Sequence, residues 1–266
     1  MLATPLYNGQ GLGNQLANYV TVRTLALDKG FDFGVQFPER FKGSPFLNLD
    51  MGLPVLGGIT TTEGATPEKL PEGFEHYYRE AFIDNGDYDP AIKEIQDNTL
   101  IHGNLQGIEY FKHRKDEIRE WLKVEPYVLP ENLCVINFRG GEYKYVEDFF
   151  LPQSYWANAI ARMKEINPDM YFDVHTDDPE TAKLFFPDFN IISDIATNWR
   201  ALRYCHYAIL SNSSFAILPV WLNENVKKVI APWGMGRHNT GQWLLKQNYI
   251  PEWTWIDRDN NICTGL

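Results

Sequence analysis

The sequence predicts an α/β protein of two doubly wound domains that face each other across a cleft. Three observations lead there. At the N-terminus a short apolar run passes through a glycine-rich turn into a helical stretch and a second strand, a βαβ opening. In the second half, short apolar runs alternate with helical stretches at the spacing of a parallel sheet. Between them, 126–132 reads as a linker, which divides the 266 residues into domains over 1–128 and 129–266.

Each element has its own signal. The first strand ends near Tyr7, and Gly9-Gln10-Gly11-Leu12-Gly13 makes the turn. A helix over 14–29 carries Leu16, Tyr19, Val20, Leu25 and Leu27, and Gly30 closes it as a C-cap. Residues 31–37 alternate as a second strand. Residues 38–88 have poor periodicity and many Gly and Pro, which predicts loops, short elements and acceptor-side surface. A helix over 90–97, a strand over 99–102 and a charged amphipathic helix over 108–123 complete the first domain. The second domain reads as strands over 133–138, 171–175, 190–193, 208–210 and 228–231. Helices over 152–166, 179–185, 199–206 and 213–223 separate them. In open sheets of this kind ligands bind beyond the carboxyl ends of the strands.

Composition excludes several functions. The net charge of -11 argues against nucleic acid and against anionic membrane surfaces. It leaves room for a phosphorylated ligand, which needs only a few local cations and backbone N–H groups. Cys134, Cys205 and Cys263 are few and far apart, with no zinc spacing or disulfide framework. Cys134 and Cys205 sit in apolar contexts as core residues, as in a reducing compartment. The N-terminus lacks a leader pattern, and no apolar run is long enough to span a bilayer, which predicts a cytoplasmic protein of bacterial or viral origin. Aromatic residues make up 14%, chiefly for cores, with some faces available to sugar rings.

Four motifs carry the chemistry. Gly11-Leu12-Gly13-Asn14-Gln15 opens a helix, where Gly11 and Gly13 let a ligand approach the backbone; a structural turn with an Asn cap is the competing reading. Asn137-Phe138-Arg139-Gly140-Gly141-Glu142-Tyr143 follows a buried strand, with Arg139 set to clamp a diphosphate. His175-Thr176-Asp177-Asp178-Pro179 ends a strand and starts a helix. Asp178 serves there as a cap and Thr176 and Asp177 as nucleotide contacts, in preference to a metal site. Ser211-Asn212-Ser213-Ser214-Phe215 again joins strand to helix, with hydroxyls suited to a phosphate or to ordinary capping by Ser213. No Ser/His/Asp or Cys/His arrangement is readable, and His206, taken to lie on an apolar helix, reads as structural.

In this order the motifs resemble the α-1,2-fucosyltransferase family, glycosyltransferase family eleven. Gly11 to Gln15 is similar to its G-x-G-N-Q opening, and Gly103, Gln106, Tyr110, Phe111, Ile118 and Arg119 to its G-x-x-Q-x-x-x-Y-F segment with the I-R that follows. Asn137 to Tyr143 resembles H-x-R-R-G-D-Y, and Leu151 to Trp156 resembles L-P-x-S-Y-Y. Thr176 to Pro179, with Ala182 and Lys183, resembles S-D-D-P-x-W-A-K. Ser211 to Phe215 carries S-N-S-S-F intact, followed by Trp221-Leu222-Asn223 and Ile230-Ala231-Pro232.

The resemblance implies a GT-B fold of two Rossmann-like domains, an inverting transferase, a GDP-fucose donor held mainly by the second domain, and no metal or other cofactor. A terminal galactose is the implied acceptor. The phosphate-binding Arg carries onto Arg139, nucleotide contacts onto Asp177, Ser213, Ser214 and Phe215, and Asn14 is placed near the donor. The chain departs from the family at Asn137, Gly140, Glu142 and Ala216-Ile217-Leu218, so the clamp has one Arg fewer. Glu142, with Asp148 second, is the general-base candidate. A transferase with another GDP-sugar, and an inactive glycan- or nucleotide-binding relative, stand as alternatives.

Overall fold

The computed structural model describes residues 1–55, 59–61, 77–83, 88–147, 149–233 and 249–264. The chain forms two units, Met1–Lys123 and Val124–Leu266. Each is α/β with parallel strands, as the alternating pattern predicts.

In the first unit, β1 (Leu2–Pro5) leads through the glycine turn into α1 (Leu12–Lys29) and β2 (Phe33–Gln36). α1 is buried along most of its length from Leu12 to Ala26. Gly30 ends it in the left-handed region at φ 67, with its N–H turned back on Ala26 and Leu27 carbonyls. β3 (Ile59–Thr61), β4 (Tyr77–Ile83) and β5 (Thr99–Gly103) complete a parallel sheet in the order β2-β1-β5-β4-β3.

Three expectations for this unit are corrected. The segment over 38–88 contributes two strands, and β4 is seven residues long. Its run Tyr-Tyr-Arg-Glu-Ala-Phe-Ile has charged residues in the middle, which breaks the apolar signal of an inner strand. The helix over 90–97 is a short 3-10 turn at Pro90–Glu94, capped by Asp89. The helix over 108–123 is two 3-10 turns followed by α2 (Lys115–Trp121).

In the second unit the strands are β6 (Leu133–Phe138), β7 (Tyr171–Thr176), β8 (Asn190–Ile192), β9 (Tyr207–Ile209), β10 (Lys228–Pro232), β11 (Thr254–Ile256) and β12 (Ile262–Cys263). The helices are α3 (Gln153–Ile166), α4 (Pro179–Phe185), α5 (Ile195–Tyr204) and α6 (Ser214–Trp221). The sheet order is β12-β11-β10-β9-β6-β7-β8, parallel except for the β11–β12 pair. β6 is buried on both faces, as a central parallel strand must be. Phe138, Tyr155, Trp156, Met163 and Phe186 form the core on one face, and Phe185 packs against it. α6 is apolar all round and buried from Ala216 to Trp221, so it belongs inside the unit.

α5 begins at Ile195, capped by Asp194, four residues before the expected start. His206 lies beyond the end of α5, in the turn into β9, where its carbonyl accepts from Lys227 and Lys228 N–H groups. Cys134 and Cys205 are fully buried, and burial pushes the Cys205 thiol up to about 12. Among the described residues no helix is long and apolar enough to cross a membrane.

Candidate functional site

The second unit gathers most of the predicted residues at one edge. β6 lies between β9 and β7, so the carboxyl ends of three strands sit side by side. Register places Asn137 opposite His175 and Phe138 opposite Thr176. The residues after these ends are Arg139 to Glu142, Asp177 and Asp178, and Ser211 to Ser213.

The glycines let the β6 loop lie against the β7 turn. Gly141 has φ +29, and a Cβ on it would fall 2.3 Å from Asp177 Oδ2. A Cβ on Gly140 would lie 2.6 Å from Asp178 Cβ. The Gly140 N–H donates to Asp177 Oδ1 at 3.0 Å. The Cβ clash with Asp178, rather than the N–H bond, is what favours glycine at position 140.

Arg139 is the cation of the site and is held on three sides. Its Nη1 lies 2.5 Å from Asp177 Oδ2, and its Nη2 donates to Glu142 Oε1 at 2.6 Å. The Tyr143 ring lies under the guanidinium at 5.3 Å. The Glu142 side chain is 69% exposed, whereas those of Arg139 and Asp177 are about 28% and 29% exposed. Burial pushes the Asp177 carboxyl above its ordinary value, with Arg139 and the Gly140 N–H opposing.

Asp178 caps α4, as expected, accepting from the Thr181 N–H at 3.1 Å and the Thr181 hydroxyl at 2.7 Å. Lys144, which sequence reading passed over, donates to Asp178 Oδ2 at 2.7 Å. Thr176 is buried and its hydroxyl accepts from the Asp178 N–H at 2.9 Å. Asn137 and Ser211 are buried partners, with Ser211 Oγ donating to Asn137 Oδ1 at 2.8 Å. Asn212 donates to the Phe149 carbonyl at 2.8 Å, while its own Oδ1 is buried with no hydrogen-bond partner among the described residues. Ser213 caps α6 by accepting from Phe215 N–H at 3.4 Å. Ser214 begins that helix, and the Phe215 ring packs edge-on against Trp199 at 5.7 Å.

His175, also missed as a site residue, is 1% exposed at the end of β7. Its Nδ1 pairs with Asn198 Oδ1 at 2.9 Å, and its Nε2 has no hydrogen-bond partner among the described residues. Burial holds it below its ordinary pKa, which keeps the ring neutral near pH 7.

Gly11, Gly13 and Asn14 belong to the first unit. Gly11 precedes α1 in an extended conformation, and a Cβ on it would meet nothing within 4 Å. Neither packing nor backbone geometry demands glycine there. Asn14 is inside the helix and is not its cap; it accepts from Gln106 Nε2 at 2.8 Å, joining two separate motifs. Gln15 is structural: buried, it donates to the Arg40 carbonyl and accepts from the Lys42 N–H. Asp148 lies outside the described residues. Among the described residues no group of three or more His, Cys, Asp or Glu is placed to hold a metal ion.

No protein-family profile matches the chain, and no curated protein sequence matches it. Solved structures offer distant likenesses. The E. coli heptosyltransferase WaaC with ADP is similar at 10% identity and a TM-score of 0.46, over 98% of this chain and 95% of that chain. The fucosyltransferase NodZ from Bradyrhizobium is similar at 12% identity and a TM-score of 0.47, over 93% of this chain and 99% of that chain. The iron-containing dodecameric glycosyltransferase TibC from enterotoxigenic E. coli is similar at 12% identity and a TM-score of 0.45, over 91% of this chain and 60% of that chain.

Proposed function

We propose that the chain is a glycosyltransferase that binds a nucleoside-diphosphate sugar on its second unit and transfers the sugar to a glycan bound by the first. The motifs favour GDP-fucose as donor, a galactose hydroxyl as acceptor and inversion at the anomeric carbon. The supporting observation is the convergence of Arg139, Asp177, Ser211 and the α6 start at the carboxyl edge of β9-β6-β7. That edge is where doubly wound sheets bind nucleotides.

The chemistry follows from these groups. As the anomeric C–O bond breaks, negative charge collects on the departing diphosphate. A fixed guanidinium and the N–H groups at a helix start stabilise it most when that charge is greatest. Arg139 reaches a diphosphate by exchanging Glu142, its more exposed partner, while Asp177 keeps the guanidinium in place. The displaced Glu142 carboxylate stays beside the site as a proton acceptor. No step requires a metal.

Arg139 facing two carboxylates also favours a second reading, a protein that binds a nucleotide sugar without turning it over. Slow donor hydrolysis separates the two, since only a transferase weakens the anomeric bond. Thermal melting with GDP, GDP-fucose, UDP, ADP and their sugars, with and without EDTA, tests the whole proposal. A ligand at a hundred times its Kd adds about 2.7 kcal/mol. Stabilisation by GDP and GDP-fucose that survives EDTA is expected. Preference for another nucleotide removes the fucose assignment, and no shift with any nucleotide removes the donor site.

A further inference from the structure

Arg139 carries the proposed diphosphate contact, yet it faces two carboxylates, Asp177 and Glu142. An anion entering beside it meets more negative charge than positive unless a second cation stands close by. Position 140, where the resembled motif has a further Arg, is glycine. The backbone brings a different cation to that position. After Gly140 the chain makes a 3-10 turn over Gly141–Tyr145, and the Lys144 N–H donates to the Gly140 carbonyl at 3.1 Å. Residue 144 is thereby returned to the side of residue 140. Its side chain then ends on the oxygen that a side chain at 140 would meet. A Cβ on Gly140 would lie 2.9 Å from Asp178 Oδ2, and Lys144 Nζ donates to that same oxygen at 2.7 Å.

The fold of α4 does not account for the lysine. Asp178 caps that helix through Oδ1, which accepts from the Thr181 N–H at 3.1 Å, and its Oδ2 accepts from the Thr181 hydroxyl at 2.7 Å. Lys144 adds a third donor to a carboxylate whose capping bonds are already made. The ammonium gives one N–H to Asp178 and a second, at 3.4 Å, to the Thr181 hydroxyl, which leaves one of its three donors over among the described residues. The Lys144 side chain is 32% exposed, close to the 28% of Arg139, so solvent reaches both cations. The Asp178 hydrogen bond raises the ammonium above its ordinary pKa, so it is charged throughout the neutral range.

We infer that Lys144 is the second cation of the diphosphate site, reaching a phosphoryl oxygen from the Asp178 side while Arg139 holds the group from the Asp177 side. The inference rests on the donor reading of the second unit and goes beyond it, since that reading gives the ligand's charge to Arg139 and the α6 start alone. The two cations are built alike. Asp178 orients the ammonium as Asp177 orients the guanidinium. They differ in what they offer: Arg139 is a planar fork, and Lys144 is a point charge on a flexible stem that follows the phosphoryl group.

Isothermal calorimetry on the intact protein tests this with GDP, guanosine and inorganic pyrophosphate. Lys144→Met removes the charge and keeps the stem. It is expected to weaken GDP and pyrophosphate about tenfold, the scale of one hydrogen bond to a charged group, and to leave guanosine unchanged. Lys144→Arg is expected to restore most of that loss. Lys144→Gln keeps a donor for Asp178 without the charge, so it separates the charge from any local effect on α4; it is expected to behave as Lys144→Met does. Wild-type affinity for GDP and pyrophosphate in the two neutral variants overturns the inference. An equal loss for guanosine overturns it too, because it marks a structural role. If the wild-type protein binds pyrophosphate and no nucleotide, the donor reading falls, and the pyrophosphate affinities of the variants still decide for or against Lys144. If it binds neither, both fall.

Discussion

Arg139 and Asp177 illustrate how one pair of residues serves folding and function in opposite senses. Arg139 is oriented by Asp177, Glu142 and the Tyr143 ring. Once Glu142 is exchanged for the donor, Asp177 and the Tyr143 ring keep the guanidinium in place as charge appears on the leaving group. Arg139→Ala is expected to lower turnover about a hundredfold or more, the cost of losing one such donor; steady-state kinetics with saturating donor would show it. Asp177 works against the fold. Its carboxyl is raised by burial, so its contribution to stability is present below the ordinary carboxylate range and is lost as pH rises through the raised value. Asp177→Asn is therefore expected to melt higher than wild type near pH 7, with the difference closing in acid, and to gain less from GDP. A lower melting temperature at pH 7 would show that the ion pair outweighs the burial.

At the scale of the element, α4 depends on its cap. Burial pushes the Asp178 carboxyl up, but bonds from Lys144 and Thr181 outweigh it and hold it below its ordinary value. Its stabilising part is thus present above the ordinary carboxylate range and fades as pH falls through the lowered value. Asp178→Ala is expected to cost about 1 kcal/mol at neutral pH, the usual worth of a cap. The deficit should shrink on acidification in melts recorded across the acid range. The same helix shows what was legible in advance. Pro179 after an Asp announced both its start and its cap, and Leu133–Phe138 was readable because a strand buried on both faces is an unbroken apolar run. β4 was not readable, because Arg79 and Glu80 interrupt its pattern, and Glu80 serves His102 rather than a core. The Tyr7–His102–Glu80 contacts were hidden for a related reason: the three are far apart in sequence, and only the β1-β5-β4 order makes them neighbours. Asn137, Arg139 and Asp177 were singled out because each closes or follows an apolar run readable as a strand, while the pairing that brings them together came only with the structure.

For the molecule as a whole, the division into Met1–Lys123 and Val124–Leu266 separates the two chemistries proposed here. The proposed diphosphate contacts all lie in the second unit, apart from Asn14 and its glycines. The second unit has a further property at its far border. β12 is two residues long, runs antiparallel to β11, and is the outermost strand of the sheet. Trp255 lies on β11 and Trp253 just before it, and both are buried. Without β12, β11 would present open N–H and C=O groups, a template on which another chain can pair. Deleting 257–266 is therefore expected to leave a protein that self-associates as concentration rises, visible by light scattering. The short β12 is, on this view, what keeps another copy from pairing along β11.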